Sequence, residues 1–494
     1  MPSPSPAAAP PGRGRSWLWL AVPVGLAVVL RLPFLLEPLR PDEAGYLMVA
    51  QQWHLSDSTT YGSYWVDRPP LLLLIFKAAV GQGPLGIRLV GTVAAAALVA
   101  AAAAVGQAVA GRRAAWWSSL VTAALVSSFA LGGQEVDGEL LAAPFVLAGC
   151  AATLWAVDER QTRVGRLVLG FLAGVAAVAA VLVKQNFVDA LAFAGVLLVL
   201  MARNPATRRR ALETAVAGAA GVALVLAAVL VWAATVGPGV GDLFYVMYLF
   251  RFDAAEVIAR RDLARPEARL LGLVAVALVS GLVPLLTAAL WQALGPPRRR
   301  DPLAWALAAM VAVGGVGVAA GASYWRHYLI ELVPAAAIGT AMLARGRPTR
   351  WVRPLVSLVV VSSAVAMFVG GGIHQIAGDP EEAATRMARW LEARSAPGDT
   401  AVITYGHANV LLPAGLSSPY PYLWSLPARV RDPNLKLLIS TVEGPRAPTW
   451  IVEWNSFDSW GLDADRRLAQ AVFENYHMVA VVAGHNVYRL DRRP

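Results

Sequence analysis

Long apolar runs recur along almost the whole of this 494-residue chain, each close to the ~20 residues that a helix needs to cross the hydrocarbon of a bilayer. In lipid such a run must satisfy every backbone N–H and C=O within itself, so a chain built of them folds as a bundle of spanning helices. The composition agrees, with 57% hydrophobic and only 15% charged residues, far too apolar for a soluble domain. The runs fall at about 16–36, 84–110, 114–132, 139–157, 167–183, 187–202, 212–236, 269–294, 302–322, 327–345 and 355–373. The expected fold class is a polytopic α-helical membrane protein with about 11 transmembrane helices.

The formal charge of +10 would suggest nucleic acid in a soluble protein, but here the arginines cluster between apolar runs. With the N-terminus on the cytoplasmic side, the inner connections hold Arg112-Arg113, then Arg160, Arg163 and Arg166, then Arg203 with Arg208 to Arg210, then Arg298 to Arg300, then Arg345 through Arg353. All these clusters share one side, as the positive-inside rule requires, so the charge reads as topology and no nucleic-acid partner is expected. An odd number of crossings sends the C-terminus outside. Residues 1–15, rich in Pro and Ala and basic, read as a disordered cytoplasmic tail. The run after them continues through Arg31 and Pro33 without an A-x-A-like cleavage site and is expected to stay as the first span. The single cysteine, Cys150, excludes an intramolecular disulfide.

Four pieces are expected outside: a first loop (37–83), the short turn GGQEVDGE, a loop at 237–268 and a C-terminal region at 374–494. In the first loop PPLLLLIFKAAV is too short to span and reads as a helix on the membrane surface. The loop 237–268, with Tyr245, Tyr248, Arg251, Arg260 and Arg261, reads as an amphipathic surface helix or as a flap over a ligand. The C-terminal region alternates helices with the strands AVITYG, PTWIVEW and HMVAVVAGHNVYRL, a small α/β domain in which Asp463 is the expected cap of a helix. Its aromatics Tyr420, Tyr422 and Trp424 suit either a sugar-stacking surface or a membrane-resting loop. The chain carries no internal repeat, Walker loop, dinucleotide fingerprint or zinc spacing.

Charges gather at the expected outer ends of several runs. Asp42 and Glu43 follow Pro41 and suit the first turn of a helix, as acids facing its dipole or as reactive groups. Asp67 and Arg68 precede a diproline, and Gln134-Glu135-Val136-Asp137-Gly138-Glu139 forms a turn between two runs. Lys184-Gln185 ends another run against the positive-inside rule, and a cation at that depth calls for a partner or a ligand. Arg326, His327 and Tyr328 sit at one more outer end, with Glu331 a turn further in. Each alone has a plain explanation as cap, interfacial anchor or packing group. As a set, acids and cations on one membrane face suit a reaction in which a carboxylate takes a proton from a hydroxyl nucleophile while cations hold a departing phosphate.

The acidic pair in PDEAGYL, the acidic–basic–diproline box DRPPL, the Lys-Gln pair and the segment WRHYLIELVP resemble the GT-C glycosyltransferases, in the branch of bacterial protein-mannosyltransferase-like and aminoarabinose-transferase-like enzymes. The resemblance covers roughly 16–345. It implies transfer of a sugar, with inversion, from a polyprenyl-phosphate carrier to a glycan, lipid or protein acceptor at the outer face of a bacterial cytoplasmic membrane. It implies Asp42 as general base, with Glu43 supporting it or binding the acceptor. Arg68, Lys184, Arg326 and His327 would face the donor phosphate, and Tyr46, Asp67, Glu135, Asp137, Gln185 and Tyr328 the sugar or acceptor. Where that branch has Lys in the diproline box, this chain has Arg68, which grips two oxygens where Lys offers a point charge. No cofactor is required; a divalent metal, if used, would fall to Glu43, Asp67 and Asp137. The expected division is a catalytic membrane part at 16–373 and an extracytoplasmic α/β domain at 374–494. A transporter or flippase, and a non-catalytic envelope-assembly partner, are the rival readings.

Overall fold

The computed structural model describes residues 18–261, 264–296, 300–345, 352–373 and 381–491; the expected tail at 1–15 lies outside them. The helices in chain order are α1 Ala21–Val29, α2 Pro41–Gln52, α3 Pro70–Lys77, α4 Gly83–Val126, α5 Gly138–Ala156, α6 Arg163–Val183, α7 Asp189–Ala202, α8 Pro205–Thr235, α9 Val240–Phe244, α10 Phe250–Arg261, α11 Ala264–Val279, α12 Leu282–Leu294, α13 Pro302–Ala320, α14 Val333–Leu343 and α15 Val352–Val365. Among the described residues six helices are long and apolar enough to cross a membrane, and a seventh crossing arises if α11 and α12, bent by 62° at their junction, count as one.

The other expected runs are helical but differ in form. The two runs at 84–110 and 114–132 are the two halves of α4, broken at Ala110 and at Gly111, which has φ +75°. Gly106 lies against the backbone of Ala114 and Ala115, so the chain folds back at Gly111 where a side chain would be strained. The run at 327–345 begins as a 3-10 turn, Arg326–Leu332, before α14. Helix α3 departs from the expected surface helix: Leu72, Leu73 and Phe76 are fully buried, Phe76 meets Tyr46 edge-on at 5.2 Å, and Lys77 Nζ donates to the carbonyls of Ala50 and Trp53 at the end of α2. It packs under α2 because alternate turns of its leucine run face the same apolar wall.

In lipid, helices approach closely where small residues let backbones touch. Helices α6 and α8 do this: Gly174 faces the carbonyl of Gly218, Gly170 faces Thr214 and Ala217, and Gly221 faces the carbonyl of Phe171.

The C-terminal part carries α16 Glu382–Glu392, α17 Ala408–Leu411, α18 Ser425–Arg431, α19 Lys436–Glu443 and α20 Arg467–Asn475, with strands β1 Ala401–Ile403, β2 Trp450–Glu453, β3 Tyr476–Val482 and β4 His485–Leu490. The sheet order is β1-β2-β4-β3; β1 and β2 are parallel, with Val402 opposite Ile451, and the other pairs are antiparallel. The β3–β4 turn holds Ala483 at φ +51° and Gly484 at φ +87°, the two positive angles of a tight hairpin turn. Asp463 accepts from Leu468 N at 2.8 Å and Ala469 N at 2.9 Å and so caps α20. Alternation along the strands divides the sheet: Ala401, Ile403, Trp450 and Val452 join the core that runs through the helices, while Val402 and Ile451 face a second core with Leu438, Val472 and Tyr488. One face of the sheet is thus sealed onto the membrane part. Replacing Gly174 by Leu is expected to cost about 1–3 kcal/mol through overpacking, read as a lower unfolding temperature in lipid.

Candidate active site

The acidic pair opens α2, whose Pro41 occupies the first helical position. Glu43 turns inward and is 1% exposed. Its Oε2 accepts from Arg40 N at 2.9 Å and from Arg88 Nη2 at 2.8 Å, and its Oε1 accepts from Val136 N at 2.8 Å. A carboxylate so engaged is a structural anchor, which corrects its expected place beside the catalytic base. Asp42 is half-buried and differs: Oδ1 accepts the indole N–H of Trp424 at 2.7 Å, while Oδ2 accepts no hydrogen bond among the described residues.

Arg88 does more than neutralise Glu43. Its Nη1 donates to Gln134 O at 2.5 Å, and the buried Arg31 donates to Gly133 O. Two buried guanidiniums thus grip successive carbonyls of the 133–137 turn, and that grip places the acids beyond it. Asp137 Oδ1 caps α5 through Leu140 N at 3.1 Å, and its Oδ2 lies 3.4 Å from His327 Nδ1. Burial, reinforced by neighbouring Glu139, pushes the Asp137 carboxyl well above the usual carboxylate range. A carboxyl held protonated over a wider pH range donates as well as accepts, which matches a hydroxyl of a sugar better than a phosphate.

Lys184 caps the end of α6 and pairs with Glu139, and it lies 5.0 Å from the ring centre of Tyr328. Gly138 leaves room for its stem. Next to it Gln185 Nε2 reaches Asp67 O at 3.4 Å. The diproline box is held from three sides. Tyr61 O–H donates to Arg68 O at 2.5 Å, Asp67 pairs with Arg68 at 3.0 Å and with Arg251 at 2.5 Å, and Arg68 Nε donates to Tyr46 Oη at 2.8 Å. Arg68 Nη2 makes no protein hydrogen bond among the described residues, and Lys184 spends one ammonium proton on Glu139. Both cations therefore keep donors for an anion.

The structure brings together Asp42, Tyr46, Asp67, Arg68, Glu135, Asp137, Lys184, Gln185, His327 and Tyr328. Arg326 is exposed and pairs with no carboxylate among the described residues, so it stands outside the set. The expected metal trio of Glu43, Asp67 and Asp137 does not form, since Glu43 and Asp67 are committed to arginines. The group whose ligand atoms do converge, all within 4.8 Å, is Glu135, Asp137 and His327, an O, O, N set that can hold a divalent cation. Deeper in, Glu331 accepts from Asn186 Nδ2 at 2.6 Å.

Sequence reasoning missed Arg31 and Arg88, the signal being lone arginines inside apolar runs away from the inner clusters. Arg251, left open between surface helix and flap, touches the box. Trp424 reaches α2 because the C-terminal part is stitched to the first loop: Trp65 N donates to Pro421 O at 3.1 Å, Ser418 N to Tyr64 Oη at 2.9 Å, and Arg40 pairs with Glu381 at 3.3 Å.

Solved structures share the fold. ArnT from Cupriavidus metallidurans in the apo state superposes with a TM-score of 0.65 at 16% identity, covering 95% of this chain and 97% of that one. ArnT bound to undecaprenyl phosphate gives 0.62 at 16%, covering 96% and 98%. The archaeal oligosaccharyltransferase AglB from Archaeoglobus fulgidus, in complex with an inhibitory peptide and a dolichol-phosphate, gives 0.52 at 12%, covering 97% and 75%. These neighbours are GT-C fold glycosyltransferases, and the chain has that fold. No family model matches the sequence, and no curated protein matches it.

Replacing Arg88 by Ala leaves Glu43 buried and unpaired, an expected loss of about 3–5 kcal/mol; thermal unfolding in lipid checks it.

Proposed function

We propose that this protein is a membrane glycosyltransferase that moves a sugar from a polyprenyl-phosphate carrier to an acceptor at the outer face of the cytoplasmic membrane. The observation that carries this reading is the contrast between neighbouring acids. Glu43 is saturated by protein donors, whereas Asp42 keeps Oδ2 unengaged on the same helix turn as Tyr46, which holds Arg68. An uncommitted carboxylate beside cations with unused donors is what a displacement at a phosphate-bearing carbon needs. The fold supports the reading, since neighbours with it were solved with undecaprenyl phosphate and with a dolichol-phosphate.

In this mechanism the acceptor hydroxyl attacks the anomeric carbon and gives its proton to Asp42 Oδ2. The bond from that carbon to the phosphate oxygen breaks as the new one forms, and the polyprenyl phosphate leaves from the opposite side, which inverts the centre. Arg68 and Lys184 offset the charge that grows on the departing phosphate. Asp137 and Gln185 face the sugar, and Arg251 ties α10 to the diproline box. The topology belonging to this proposal has roughly eleven crossings, the N-terminus inside and the C-terminal domain outside, so that donor and acceptor meet at the bilayer edge. No metal is needed for the displacement; Glu135, Asp137 and His327 would hold one if it binds, where its charge would add to that of the cations.

Purified protein in lipid, offered a panel of radiolabelled polyprenyl-phosphate sugars with envelope extract, is expected to label an acceptor. Asp42→Asn should lower the rate by about 10²–10⁴, the usual share of a general base, with unchanged thermal unfolding; full turnover in that variant would remove Asp42 from the role. Transfer is expected to persist in EDTA. A loss restored by added divalent cation would instead assign the Glu135, Asp137 and His327 group a catalytic metal.

A further inference from the structure

We infer that Trp424, carried in by the C-terminal part, is the residue that orients the catalytic carboxylate, so that the active site is assembled from both parts of the chain. The inference rests on Asp42 being the base. A carboxylate on a helix's first turn rotates about its side-chain bonds unless something holds one oxygen, and a base must present its free oxygen to the acceptor within hydrogen-bond reach. The indole N–H does the holding, at 2.7 Å from Oδ1. An indole can only donate, so this contact engages Oδ1 and leaves Oδ2 as the oxygen that collects the proton.

Three further observations bear on the ring itself. Residues 42, 45 and 46 share one face of α2, being three and four apart, and Trp424 lies along that face. A methyl group at Gly45 would run into the indole, so the absence of a side chain there makes the close approach possible. The ring centre of Tyr46 is 5.4 Å from that of Trp424, and the Tyr46 oxygen accepts from Arg68 Nε. One tryptophan therefore packs against the residue that holds the donor-side arginine and donates to the base. The segment that carries it is anchored on both sides, since Pro421 O accepts from Trp65 N and Ser418 N donates to Tyr64 Oη, and Trp424 itself is the N-terminal boundary of α18. Such support is what holds a reactive group in one geometry.

The test uses the full chain in lipid and two variants that disturb the contact from opposite sides. Trp424→Phe keeps a ring against α2 and loses only the N–H. Its kcat is expected to fall about tenfold, with the donor KM within twofold, because the base is misaligned while donor binding is untouched. Gly45→Ala adds a methyl group where the indole lies. It should reproduce the fall in kcat by displacing the indole from Asp42 Oδ1, with the donor KM again within twofold. A purely structural tryptophan would leave kcat per folded molecule unchanged in both Trp424→Phe and Gly45→Ala, whatever their unfolding temperatures. That outcome overturns the inference. A thermal cycle separates it from the function it rests on. Trp424→Phe should lower the unfolding temperature less in an Asp42→Ala background than in the wild type, whether or not the protein turns over. Equal shifts in both backgrounds mean the contact does not form, and the inference fails. Coupled shifts with full activity in Asp42→Asn mean that the contact stands but Asp42 is not the base.

Discussion

The buried pair of Glu43 and Arg88 is the contact on which the site depends. Two charges removed from water hold each other best when their other donors and acceptors are engaged, and most are here: Glu43 takes two further backbone N–H groups and Arg88 takes the carbonyl of Gln134, leaving its Nε without a partner among the described residues. These bonds join the start of α2, the first turns of α4 and the turn before α5. Because Arg31 grips the next carbonyl of that turn, the position of Asp137, and through it of His327, follows from the same network.

Around this anchor the reactive groups divide by how much of their bonding capacity the protein consumes. Glu43 is full. Asp67 is shared between Arg68 and Arg251, and Glu139 is matched by Lys184. Asp42 retains an oxygen, and Arg68 and Lys184 retain donors. Pairing these cations with acids keeps the site near electrical neutrality at low exposure, while the unused donors suit an anion. The C-terminal part then closes the arrangement, since one face of its sheet belongs to the same buried core as α2 and its Trp424 bonds Asp42.

Much of the plan was legible in sequence. Twenty-residue apolar runs mark helices because lipid leaves the backbone no other partner, and each expected run is helical in the structure. PDEAGYL, DRPPL, QEVDGE and Lys184-Gln185 named residues that the structure brings together, and the alternation in PTWIVEW and HNVYRL marked strands. Helix form was less legible. The reversal at Gly111 and the 3-10 turn at Arg326–Leu332 depend on what packs alongside, and the burial of α3 depends on α2 lying over it. Arg88 was hidden because one arginine at the edge of an apolar run looks the same whether it faces headgroups or a buried acid.

The sequence by itself determined the class of fold, the clustering of charges between apolar runs and the set of chemistries they suit, because these follow from periodicity, hydropathy and residue type. Only the tertiary structure decided which of two adjacent acids keeps an unengaged oxygen. Two of the three donors that saturate Glu43 come from 45 and 93 residues away, and the indole that bonds Asp42 comes from 382 residues away. Whether a carboxylate is spent or free is set by such distant partners, and no local pattern carries that information.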